Sequence, residues 1–296
     1  MSMQLFERFP IHIVSSVRNE HAFLPELAHS IHSQTERPAS WTIVDDGSTD
    51  NTPNIIRDLE QQCDWISSIT VGDRGYNARG YGNTKALQLG FSHALETFHV
   101  SGLAIMDADI TFDKLTMASV YDSFLNNNNL GIYGGEIVEY RKGKWIPPVV
   151  LPDDFVRGAC KVYRLACYNQ IGGIIPRRGW DSIDNLKAAM LGWDVKRDTA
   201  LLIRHNRPVG SQDGFAKDQY KAGRDAYYLG SDPMLVLARG GNKVIASKPY
   251  FFAGMVFLSA YFGNAFLRKE RYPDKQFLEF VKKKHRELLL KGFYRW

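Results

Sequence analysis

The sequence predicts an α/β fold: a mostly parallel central sheet flanked by helices, followed by a helical C-terminal extension. Three observations carry this. Short β-branched or apolar runs alternate with stretches of helical periodicity over the first 110 residues. The best of those runs are apolar throughout, as strands covered on both faces are. Two of them end in acidic pairs, Asp45-Asp46 and Asp107/Asp109, where sheets of this class bind ligands, at the carboxyl ends of their strands.

Taken in order, Ile11 to Val17 is a β-branched run, and Phe23, Leu24, Leu27 and Ile31 then recur at helical spacing within His21 to Ile31. Trp41 to Val44 is a second strand. Asn51-Thr52-Pro53 opens a helix, since Pro is favoured in a first turn. Trp65 to Val71 is a third strand. Lys85 to Phe98 is helical, with Ala86, Leu89, Ala94 and Leu95 on its apolar face, and Gly102 to Met106 is a fourth strand. The pattern from Phe112 to Ile183 is less regular; it holds the Gly-rich Gly131 to Gly135, the pair Pro147-Pro148, and Gly172-Gly173. Helical periodicity returns from Asp184 to Leu191 and stops at Gly192, and Thr199 to Ile203 is strand-like. Tyr250 to Leu267 is uncharged and aromatic, and a basic amphipathic helix at about Lys275 to Leu290 closes the sequence.

Composition narrows the function. With 296 residues, 44% hydrophobic and 23% charged, the chain can bury a sizeable core, which excludes disorder, and no collagen, coiled-coil or repeat pattern is present. Thirty-seven Lys and Arg against thirty-two Asp and Glu give +5, too modest to imply nucleic acid as a partner but suited to anionic substrates or an anionic membrane surface. Cys63, Cys160 and Cys167 form no metal-knuckle spacing and read as reduced thiols. Met1 to Pro10 contains Glu7 and Arg8 and lacks the apolar core of a signal peptide, so the expected location is cytoplasmic.

Two nucleotide signatures are missing. There is no GxxxxGK[ST], which excludes a P-loop, and Gly80-Tyr81-Gly82 matches GxGxxG only in part, without the acidic partner that a dinucleotide fold requires. Instead the second strand runs into Val44-Asp45-Asp46-Gly47-Ser48-Thr49-Asp50. Two carboxylates followed by a tight turn leave acceptors and backbone donors for a polar ligand; an Asx turn with a helix N-cap uses the same residue types. About sixty residues later, Asp107-Ala108-Asp109 ends an apolar strand. Carboxylates one residue apart there can turn toward one divalent ion, and oxygen ligands suit Mn²⁺ or Mg²⁺.

These motifs in this order resemble family 2 glycosyltransferases of the GT-A fold. The resemblance covers about residues 10 to 210 and implies an inverting enzyme acting on a nucleotide-diphosphate sugar. It makes Asp45 and Asp46 the nucleoside contacts, with Ser16 and Arg18 at the end of the first strand beside them. Asp107 and Asp109 become the DxD element, one facing diphosphate and both facing metal, and His205 a third metal ligand. Arg79, Asn83 and Lys85 match loosely a basic, Gly/Asn-rich segment that contacts base or diphosphate. Gly179-Trp180-Asp181-Ser182-Ile183-Asp184 stands where the family usually writes Glu-Asp ahead of a helix ending in Gly. This chain departs from that pattern, leaving Asp181 or Asp184 as the base; the interval to Gly192-Trp193 favours Asp181, with Asp184 near N3 or N4 of the helix.

The implied organisation is a GT-A domain over 1–249 and a helical extension over 250–296 that meets a membrane surface or another copy of the chain. The implied acceptor is a glycan or glycolipid of cell-surface polysaccharide synthesis, reached at the inner face of the membrane. Two rivals share the features: a nucleotide-sugar binding module without a base, and a sugar nucleotidyltransferase. The second usually carries a Gly-rich basic loop near the N-terminus, which Ser15-Ser16-Val17-Arg18-Asn19 is not.

Overall fold

A computed structural model describes residues 5–72, 81–148, 151–207, 215–246 and 251–292. The chain divides into two compact units, Met1–Pro148 with Asp153–Arg207, and Val149–Pro152 with Pro208–Trp296. The described residues 215–246, which the sequence reading places in the first domain, thus group with the C-terminal helices.

The first unit opens with a short helix α1 (Leu5–Arg8) and the alternation expected from the sequence: β1 (Ile11–Val17), α2 (Leu24–His32), β2 (Ser40–Asp45), α3 (Thr52–Gln62), β3 (Ile66–Thr70), α4 (Tyr81–Thr97) and β4 (Gly102–Met106). These four strands are parallel, in the order β3-β2-β1-β4. Alternate residues of each strand enter separate cores. Ile11, Ile13, Trp41, Ile43, Ala104 and Met106 pack with α2 and α3, whereas Val14, Val44, Leu103 and Ile105 pack with α4. Covering on both faces is why β4 is apolar throughout and β2 is buried along its whole length. One polar ladder crosses them: His12 bonds Ser40 Oγ and Thr42 Oγ1 at 2.5 and 3.0 Å, and burial pushes its imidazole down to about 3.

Beyond β4 the sheet continues through β5 (Ile110–Phe112), α5 (Thr116–Asn126), β6 (Leu130–Arg141), β7 (Lys144–Ile146), β8 (Cys160–Arg164), α6 (Leu165–Gln170), α7 (Trp180–Met190) and β9 (Asp194–His205). The strand order is β4-β8-β6-β9-β5, with β7 a hairpin on β6. β8 is antiparallel to β4 and β6, β6 and β9 are parallel, and β5 is antiparallel to β9. The irregular region of the sequence therefore holds a twelve-residue strand through its Gly-rich patch. Crowding explains the glycines. A Cβ on Gly134 would lie 2.4 Å from Val156 Cγ1 and 2.5 Å from the Cys160 carbonyl oxygen, and one on Gly135 2.3 Å from that of Leu201. Gly135→Ala is expected to lower stability by about 1–3 kcal/mol, as overpacking against backbone does. An unchanged midpoint in denaturant unfolding would contradict this.

Helix α7 also begins earlier than its periodicity suggests. Gly179, at φ +79°, turns the chain left-handed immediately before Trp180, a conformation that favours glycine. Asp181 thereby falls in the first turn, and Asp184 lies one turn in rather than at N3 or N4.

The second unit contains α8 (Phe215–Tyr228), α9 (Pro233–Ala246), α10 (Phe252–Phe266) and α11 (Lys275–Leu290). Asp274 caps α11 by accepting from the Phe277 N–H at 3.0 Å. Tyr261 Oη, on α10, donates to the Ser231 carbonyl at 2.7 Å.

Candidate functional site

Strand order reverses between β1 and β4, and the loops that leave the carboxyl ends of β1, β2 and β4 surround that switch point. The β2 loop is tightly built. Asp46 N–H extends the β1–β2 pairing by donating to the Val17 carbonyl at 2.8 Å; Gly47, at φ +76°, turns the chain; and Ser48 N–H donates to Asp45 Oδ1 at 2.9 Å. The Asx turn that the sequence allows is formed by Asp50, whose Oδ1 accepts from Thr52 N–H at 2.9 Å. The β1 loop is stapled to it, because Asn19 N–H donates to Ser48 Oγ at 2.9 Å and Asn19 Oδ1 accepts from Thr49 N–H at 2.8 Å. Arg18 Nη1 donates to the Asp46 carbonyl at 3.0 Å. Ser16 is half-buried beside Val44 in the register of β1 and β2, and both Asp45 and Asp46 are buried.

The third loop begins at Asp107, whose N–H donates to the Ala159 carbonyl at 2.9 Å. Pairing of β5 with β9 sets Ile110 opposite His205, so Asp109 and His205 meet at the edge of that ladder. Ligand atoms of Asp107, Asp109 and His205 all lie within 4.8 Å of one another. His205 Nδ1 bonds the Arg207 carbonyl, which can only accept, so Nδ1 carries the proton. Nε2, the ring's other nitrogen, faces Asp109 Oδ1, 3.4 Å away. Burial, reinforced by Asp109, Glu20 and Asp181, pushes the Asp107 carboxyl up to about 8. Two carboxylates and an oriented imidazole fit Mn²⁺ or Mg²⁺ as a donor set.

Asp181 belongs to the same neighbourhood, since its charge contributes to the field at Asp107. Its turn is fixed from behind. Buried Lys161 Nζ donates to the Asp181 carbonyl at 2.8 Å and lies over the Trp180 ring at 5.4 Å, and the Gly158 backbone packs against Trp180 and Asp181. Asp184 is placed differently. It is fully buried, accepts from Tyr163 Oη at 2.5 Å and lies 3.9 Å from Lys161 Nζ; burial pushes it up to about 6. Asn83 and Lys85 lie in the first turns of α4, Asn83 half-buried and Lys85 exposed. Arg79 lies outside the described residues.

Four residues at or behind the site had no role in the sequence reading. Arg207 ion-pairs with Glu20, and its Nε lies 3.6 Å from Asp109 Oδ2, tying the β9 end to the β1 and β4 loops. Arg157 carries a positive charge toward Asp107, and its buried Nη1 has no hydrogen-bond partner among the described residues. Lys161 is the fourth. Arg207 was findable, because it lies two residues after His205, just beyond the end of β9. Glu20, Arg157 and Lys161 gain their positions from chain folding alone, and no spacing announces them.

Comparison with known proteins gives one family and one fold. The family model described as Glycosyl transferase family 2 matches residues 12–176. No curated protein sequence matches. Among solved structures, the mannosyltransferase PcManGT from Pyrobaculum calidifontis, in complex with GDP-Man and Mn²⁺, is 15% identical over 100% of this chain and 84% of that one, with a TM-score of 0.53. TarS 1–349 from S. aureus, in complex with UDP-GlcNAc, is 14% identical over 97% of this chain and 85% of that one, with a TM-score of 0.55. At such identities the likeness establishes the fold, that of GT-A glycosyltransferases.

Proposed function

We propose, from the premise that this chain belongs to glycosyl transferase family 2, that it transfers a sugar from a nucleoside diphosphate to an acceptor hydroxyl with inversion. The observation that carries this reading is the cluster of Asp107, Asp109 and His205 at the sheet's switch point, with Asp181 beside it. Two structural neighbours hold nucleotide sugars, GDP-Man and UDP-GlcNAc, and one of them Mn²⁺, which supports a donor of that class here.

In this reading the β1 and β2 loops take the nucleoside, with Ser16, Arg18, Asp45 and Asp46 facing it, and the α4 start, with Arg79, Asn83 and Lys85, contributes to the base or diphosphate. Asp107, Asp109 and His205 hold Mn²⁺ or Mg²⁺, which when bound supplies positive charge against the leaving diphosphate. Arg157 adds a second, fixed positive charge on that side of Asp107. Asp181 accepts the proton of the acceptor hydroxyl as its oxygen bonds to the anomeric carbon. The bond from that carbon to the diphosphate oxygen breaks on the opposite face, and the electron pair leaves with the nucleoside diphosphate. Asp184 is a positioning residue: its bond to Tyr163 and its proximity to Lys161 anchor α7 and hold Asp181 at the opening. The acceptor is a glycan or glycolipid.

A thermal-shift series with UDP, GDP and other nucleoside diphosphates, each with and without Mn²⁺, tests the donor class. One base should stabilise the protein selectively and only with metal, by about 2.7 kcal/mol at a hundredfold excess over Kd. No shift with any nucleotide would remove the reading, and binding without turnover across acceptors would mark a binding module instead.

A further inference from the structure

The second unit carries apolar side chains where a water-soluble helix carries charge. On α9 the most exposed residues after Pro233 are Met234, Leu237 and Ile245, the last 77% exposed. On α10 the exposed large residues are Phe252, Met255, Phe262 and Phe266, the last 88% exposed, and they recur at the spacing of one helix face. No exposed residue within either helix, among those described, is charged. The two outward faces join at one end, where Phe251 N–H donates to the Val244 carbonyl at 2.9 Å and brings Ile245 close to Phe251.

The inward packing explains why these residues point out. A Cβ on Gly223 of α8 would lie 2.1 Å from the Phe257 carbonyl oxygen, and one on Gly254 2.4 Å from that of Gly240. With Ala253 and Ala260 also buried, α8, α9 and α10 approach through small residues and leave much of their bulk outside. Small residues between helices with large apolar ones facing outward is an arrangement suited to lipid surroundings. Yet α10, with fifteen residues, is about 22 Å long against a hydrocarbon core of roughly 30 Å. Among the described residues no helix is long and apolar enough to cross a membrane.

Charge selects the occupant. Exposed Arg268 and Lys269 directly follow Phe266 and Leu267 at the C-terminal end of the apolar face. Residues 208–296 carry sixteen Lys and Arg against eight Asp and Glu, a net +8 within a chain of net +5. We propose that the outward face of α9 and α10, with Arg268 and Lys269 at its end, is a surface that seats the protein on an anionic lipid bilayer. Phenylalanines enter the interface while the cations meet the headgroups. The surface is independent of the donor chemistry proposed above.

Vesicle flotation of the full chain tests this without any nucleotide or acceptor, so its outcome is separate from that of the transfer reaction. Vesicles of phosphatidylcholine with phosphatidylglycerol should carry the protein upward at low salt and less so at high salt, and phosphatidylcholine alone should carry little. Arg268→Glu with Lys269→Glu should weaken partition roughly tenfold or more, as about 1 kcal/mol is lost per cation. Phe252→Glu with Phe266→Glu should abolish it. All four residues are exposed, so circular dichroism and Tm should match the parent and show that the variants fold. Equal recovery of parent and variants in the unfloated fraction at low salt would overturn the proposal. So would sedimentation velocity showing a lipid-free dimer that Phe266→Glu dissociates, since the face would then be an interface between copies.

Discussion

Asp109→Ala is expected to abolish metal-dependent nucleotide binding and to lower sugar transfer by about 10² or more, because several kcal/mol of charge stabilisation disappears with the metal. Asp109 is central to the cluster: one oxygen lies 3.4 Å from His205 Nε2 and the other 3.6 Å from Arg207 Nε. Loss of the carboxylate removes a ligand and leaves the apolar cores intact. It also removes one of the charges that raise Asp107 and Glu20, so the metal-free variant should unfold no earlier than the parent. Arg207 keeps Glu20 as a partner, which holds the β1 and β9 ends together. Titration calorimetry with a nucleoside diphosphate in Mn²⁺, beside transfer assays with and without EDTA, measures both effects. Full transfer in excess EDTA by parent and variant alike would end the metal assignment.

The parallel half of the sheet was legible because β1, β2 and β4 are covered on both faces and each crossover is a helix with its own periodicity. β1 and β4 match their sequence spans residue for residue, as does α11 at the other end. The mixed half beyond β4 was less legible, with only Thr199 to Ile203 of β9 read as a strand. β6, one of its two twelve-residue strands, contains Gly131, Gly134 and Gly135, which local propensity reads as breakers. They are there because neighbouring backbone and side chains leave no room for a Cβ, a reason that exists only after β8, α6 and β9 have docked. The site divides along the same line. Asp45, Asp46, Asp107 and Asp109 follow recognisable strands, and their convergence follows from sheet topology. His205 joins them through the pairing of β5 with β9, about ninety residues apart in sequence. Lys161 was invisible: a lysine inside a strand signals solvent, and only the folded chain encloses it between Tyr163, Trp180 and Asp184.

The choice between Asp181 and Asp184 is the point where sequence and structure have to be weighed together, and one pair of variants decides it. Asp181→Asn should reduce transfer by about 10²–10⁴ at unchanged donor affinity, since an amide cannot accept the hydroxyl proton. Its fold should survive. The Ser182 N–H that bonds Asp181 Oδ1 at 3.0 Å can bond the amide oxygen equally, and Lys161 grips the main-chain carbonyl, which the substitution leaves alone. Asp184→Asn should behave in the opposite way. Its oxygen accepts from Tyr163 Oη inside the protein, and its charge is the nearest acid to buried Lys161, so weakening both should destabilise the fold by about 1–3 kcal/mol. The molecules that remain folded should keep most of their kcat, because Asp184 has no opening to an acceptor. Measuring kcat, donor affinity and Tm for both variants separates the roles. A crippled but thermally normal Asp184→Asn, beside an active Asp181→Asn, would assign the proton to Asp184 and make Asp181 a structural residue of the first turn of α7.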